Sequence, residues 1–66
     1  MKIPITKDKA SLIEEMVEWA KGIYSIRFKG YEDTIWCKSI SDIYLAIEQF
    51  SKNGFVKTNE ASEVII

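Results

Sequence analysis

Trp36, with Arg27, Lys29 and Lys38 close to it in the chain, is the grouping best suited to chemistry between molecules. An aromatic ring ringed by cations can stack a nucleic-acid base while the cations follow phosphates. The same side chains, wide in contact area and rich in directed donors, are those enriched where proteins grip one another. Covalent chemistry has less to work with. The chain has no histidine, the commonest general base. Its one cysteine, Cys37, alternates with Ile35 on an apolar face, where a thiol packs as a small hydrophobe. Two carboxylate pairs, Glu14 with Glu18 and Glu32 with Asp33, read as a solvated face and a turn, without the burial that shifts a pKa. The three glycines stand singly and form no phosphate-binding loop. The expectation is a protein without catalytic residues, cofactor or metal.

The totals narrow the field further. Sixty-six residues make a single domain over 1–66, of a size that hides only about 60% of its unfolded surface. Nine basic and ten acidic side chains leave a formal charge of −1. That balance argues against both a DNA mimic and a protein that coats nucleic acid through bulk charge. Neither a run of about 20 apolar residues nor a secretory signal at the N-terminal MKIPITKDK is present. A lone thiol fits a reducing compartment. The chain is therefore expected to be cytoplasmic and free of membrane.

The residues of the grouping need a scaffold, and the pattern supplies one. Tyr24, Ile26 and Phe28 alternate with polar neighbours, as do Ile35 and Cys37, so Tyr24 to Lys38 reads as a β-hairpin with one apolar and one wet face. With Gly30 to Asp33 as the loop, Phe28 faces Ile35, Arg27 faces Trp36 and Ile26 faces Cys37. In that register the Arg27 guanidinium lies over the Trp36 ring, a cation–π pair of roughly 0.5–1 kcal/mol.

Before the hairpin, Leu12, Ile13, Met16, Trp19, Ala20 and Ile23 fall on one helical stripe, with Glu14, Glu15, Glu18 and Lys21 opposite. Asp8 or Ser11 is expected to cap this helix, Ser11 with Glu14 in capping-box spacing, and Gly22 to end it. After the hairpin, Ser39 or Ser41 opens a second helix, with Asp42 near its positive end and Ile40, Ile43, Ala46, Ile47 and Phe50 inward. Asn53-Gly54 closes that helix, with Phe55 folding back on Phe50. Leu45 points away from its stripe.

Lys2 to Thr6 could add a short strand, although Pro4 suits only an edge or a strand start. Residues 55–58 and 64–66 look extended, as one broken strand or a second hairpin. The expected fold is α+β in element order (β)αββαβ. Two helices would pack on one face of a three- or four-stranded, mainly antiparallel sheet. With the first strand included, that element order is the one of ferredoxin-like folds.

The function expected is a small protein-binding module, a regulator or inhibitor that occupies a partner's surface through the exposed sheet face. Its contact residues would be Arg27, Lys29, Tyr31, Trp36, Lys38 and Leu45. The alternative is single-stranded RNA or DNA binding on the same face. A homodimer through the sheet edge or the C-terminal strand is compatible with either, since an apolar edge can pair with its own copy.

Overall fold

A computed structural model describes residues 3–65; Met1, Lys2 and Ile66, and with them the ends of two expected strands, lie outside the described residues. The elements follow the order α1 (Lys7–Ala10), β1 (Ile13–Ala20), β2 (Ile23–Phe28), β3 (Ile35–Cys37) and α2 (Ile40–Asn53). The three strands form one antiparallel sheet in the order β1-β2-β3. No described helix is long and apolar enough to cross a membrane.

The α+β class and the antiparallel sheet are as expected, but the element order is not. Residues 13–20 are a strand, where the apolar spacing predicts a helix. Two irregularities explain the resemblance to a helical stripe. Ile13 pairs with Phe28 and Glu15 with Arg27, so Glu14 is an extra residue; Trp19 is likewise extra between Glu18, paired with Tyr24, and Ala20, paired with Ile23. The first bulge puts Ile13 and Met16 on one face although they are three residues apart, the same spacing that neighbours on a helix show. Burial decides the matter in favour of the strand. A two-stranded hairpin is marginal alone, and a third strand is needed to complete the ladder of β2. Gly22 accordingly closes the turn between β1 and β2, at φ +78°, and caps no helix. Residues 3–6 form no strand, and the short α1 buries none of its side chains.

The second helix forms where its sequence signals place it, except that Ile40, expected on the inward stripe, is exposed in the first turn. The Ser39 side chain accepts from the Asp42 backbone N–H at 3.2 Å, and Asp42 Oδ2 accepts at 3.2 Å from the N–H of Lys38, one residue before the cap. Gly54 ends the helix at φ +78°, its N–H donating to the Phe50 carbonyl at 2.9 Å. Phe55, expected to fold back on Phe50, is instead exposed, and the stacking partner of Phe50 is Phe28. The inner face of α2 meets the even-numbered side of β2 and the outer residues of β3. Ile26, Phe28, Ile35, Ile43 and Ala46 all have 0% exposure, and Phe28 stacks on Phe50 with centroids 4.3 Å apart.

The tail turns back as a short hairpin of isolated bridges. Thr58 bridges Val64 antiparallel, and Glu63 bridges Trp36 in parallel, laying residues 62–64 beside β3. Asn59 builds the turn, its Oδ1 accepting from the backbone N–H groups of Ala61 and Glu63 at 2.9 and 3.0 Å. Gln49 of α2 pins both arms, accepting from Lys57 N–H at 2.7 Å and donating to the Ile65 carbonyl at 2.9 Å.

Candidate functional site: an indole pair on the uncovered sheet face

The faces of the sheet are assigned as the alternation predicts, but the register between β2 and β3 is displaced by two residues. Tyr24 pairs with Cys37, Ser25 with Trp36 and Ile26 with Ile35. A two-residue shift keeps every side chain on its face and changes only its partner. Trp36 therefore stands opposite Ser25, and the expected stacking of Arg27 on Trp36 is replaced. Arg27 stands opposite Glu15 of β1 instead. The longer loop between Phe28 and Ile35 accounts for the shift, since Tyr31 leaves the loop tip to join the core side. Its ring meets Phe50 edge-on at 5.5 Å, and its hydroxyl accepts from the Val56 N–H at 3.4 Å.

The partner that Trp36 does find is Trp19. The two indoles lie 6.2 Å apart at 41°. Trp19 is the extra residue of the second bulge, and bulges re-aim side chains in this way. Its Nε1 donates to Ser25 Oγ at 2.8 Å. Ser25, although on the uncovered face, is only 3% exposed because this hydrogen bond and the facing Trp36 cover it. Trp19 meanwhile keeps 63% of its surface exposed. The indole is thus held by its polar edge and offers its apolar face to solvent, the division of labour that suits an amphipathic ring.

Beside Trp36 lies a cleft of about 240 Å³, lined by Ile23, Trp36, Cys37, Lys38, Ala61 and Glu63. That is below the roughly 300–1,000 Å³ of ordinary small-molecule sites. Its rim is closed by Lys38 Nζ and Glu63 Oε2 at 3.2 Å. Hydrogen bonding from Asn59, then from Lys38, holds the Glu63 carboxyl below the usual carboxylate range. Cys37 presents no nucleophile: burial, with the Asp42 carboxylate adding to it, pushes the thiol up to about 12. At neutral pH it is a packed S–H.

Of the residues expected to make contacts, Trp36, Arg27 and Lys38 share the uncovered side, and Lys29 is exposed just beyond β2. Tyr31 and Leu45 do not join them. Tyr31 packs beside Phe50, and Leu45 is half-buried on α2, across the sheet from Trp36. Trp19, Ser25 and Ile23 are the members the sequence pattern missed. The helical reading turned Trp19 inward, and the dipeptide Lys21-Gly22 between two apolar runs was the available signal of a strand turn. Comparison of the chain with protein-family models, with curated proteins and with solved structures finds no match.

Proposed function

We propose that the chain is a non-enzymatic protein-binding module, a regulator or inhibitor that occupies a partner's surface with the uncovered face of its sheet. The observation that carries this reading is the Trp19–Trp36 pair, anchored through Ser25 on the side that α2 leaves bare. Tryptophan and arginine dominate interface hot spots. A ring already fixed by a hydrogen bond also loses less freedom when a partner arrives. The adjoining cleft would take one apolar side chain of that partner. A reducing, cytoplasmic setting suits the single thiol of Cys37.

One observation favours the second reading, single-stranded nucleic acid. The sheet presents two indoles where the sequence pattern offers one, and paired aromatics stack successive bases. The charges favour a protein. Lys38 is already bound to Glu63, which leaves fewer cations beside the rings for phosphates.

Affinity capture from host lysate, with wild type beside Trp19→Ala and Trp36→Ala, tests the proposal. Both variants should fold and lose the same specific protein; retention of every partner by both would overturn it. A labelled oligonucleotide titrated at low and high salt separates the second reading, because phosphate binding weakens steeply with salt.

A further inference from the structure

β1 is the margin of the sheet: it pairs with β2 on one side, and among the described residues its other edge carries no backbone partner. An unpaired edge is a template for another strand. Between the two bulges, Glu15 to Glu18 pair in unbroken register with Arg27 to Tyr24, so the middle of β1 is a regular ladder able to accept one. The side chains along that edge choose among occupants. Glu14, Glu15 and Glu18 are exposed, β1 has no basic residue, and the ion pairs among the described residues join Lys9, Lys52 and Lys38 to Glu48 and Glu63 instead. A second copy of β1 would set glutamates against glutamates, which costs free energy when like charges face across strands. A polyanion meets the same repulsion. Trp19, largely exposed at the end of the strand, offers its ring to a cation or an apolar group.

We infer that the free edge of β1 takes up an extended basic peptide segment of a partner protein, which pairs with the strand backbone, sets Lys or Arg beside Glu14, Glu15 and Glu18, and covers Trp19. This deepens the proposed function and rests on it, naming the chemistry of the partner. Main-chain hydrogen bonds would supply the affinity and the alternating side chains the specificity, as in strand addition generally.

The test uses the whole chain and a synthetic peptide of about ten residues built of Arg-Arg-Val repeats, long enough to span the strand and carrying arginine on both faces, as Glu15 opposite Arg27 and Glu18 opposite Tyr24 require. Binding is read by tryptophan fluorescence and by amide exchange along β1. The peptide should bind and protect amides of residues 15–18. Methylation of alternate peptide nitrogens should weaken it at least about tenfold, as should the triple change Glu14→Gln, Glu15→Gln and Glu18→Gln. A glutamate–valine peptide should not bind. Equal affinity for the methylated peptide would reduce the contact to bulk electrostatics and overturn the inference. So would equal binding of the acidic peptide, no binding of the basic one, or a dimer by light scattering whose β1 amides are already protected from exchange without peptide. Should the triple variant fail to fold, the methylated and acidic peptides still decide on wild type. Partner loss in Trp19→Ala and Trp36→Ala is read separately, so the edge can fail while the face stands.

Discussion

On the side of the sheet that α2 covers, Ile26, Phe28 and Ile35 have no exposed surface, and the rings of Phe28 and Phe50 lie parallel at 4.3 Å. On the other side the same strands carry Trp36, Ser25 and Arg27, with Trp19 leaning in from a bulge and 63% of it in water. Both faces gather aromatic side chains, yet the covered face spends them on the core, and the bare face fixes an indole with one hydrogen bond and leaves its surface open. The covered rings are held by packing on all sides, whereas the outer indole is held by its polar edge alone and keeps its apolar surface in water.

The sharpest way to break that comparison is to damage the covered face. Phe28→Ala should cost about 3–5 kcal/mol, the range for emptying a buried aromatic site, and leave the chain largely unfolded by circular dichroism. A folded variant with unchanged urea midpoint would mean the helix-covered side does not hold the molecule together. Alkaline pH probes the same face through Cys37. Its folded pKa lies near 12 against an ordinary 9.0. The stabilisation is therefore complete below about pH 9 and is lost as pH rises toward 12. Cys37→Ala should flatten that limb of the stability–pH curve, and an unchanged slope would contradict the burial of the thiol.

Smaller effects sharpen the comparison. Ser39→Ala removes the cap of α2 and should lower stability by about 1 kcal/mol in a denaturant melt. Ser25→Ala tests the bare face: it should cost about 0.5–1.5 kcal/mol and shift tryptophan emission to the red as the Trp19 indole is released. A variant with native emission would show that Ser25 does not hold the ring. The smallest effect is expected in acid. The carboxyls of Glu48, held low by Lys9 and Lys52, and Glu63, held low by Asn59 and Lys38, contribute above the ordinary carboxylate pKa. That contribution fades as pH falls through their lower folded values. Glu63→Gln should reduce the acid dependence of the melting temperature, and a steeper dependence would reverse the sign.

Legibility varied by residue for reasons that can be named. Asp42 and Gly54 act locally, within a turn of the helix they bound, so their positions were readable from spacing alone, while spacing left the cap between Ser39 and Ser41 and the structure takes Ser39. The alternation of Tyr24, Ile26 and Phe28 against Ser25 and Arg27 likewise showed which face is buried. The register between β2 and β3 was not readable, because a slip of two residues leaves every apolar side chain on the same face. The longer loop is fixed by contacts the pattern does not show: Tyr31 on Phe50, its hydroxyl on the Val56 N–H, and its own N–H on the Phe28 carbonyl. Nor was the tail, whose turn depends on Asn59 and on Gln49, ten residues and one helix end away.

The amino-acid order alone determined the second helix, its glycine stop, the buried side of the hairpin and the presence of Trp36 on the bare side, since each follows from contacts within a few residues. Tertiary structure alone decided that residues 13–20 are a strand and that Trp19 meets Trp36. Spacings of three suit a helix and a bulged strand equally, and what separates them is the unfilled ladder of β2, a demand made by residues elsewhere in the chain.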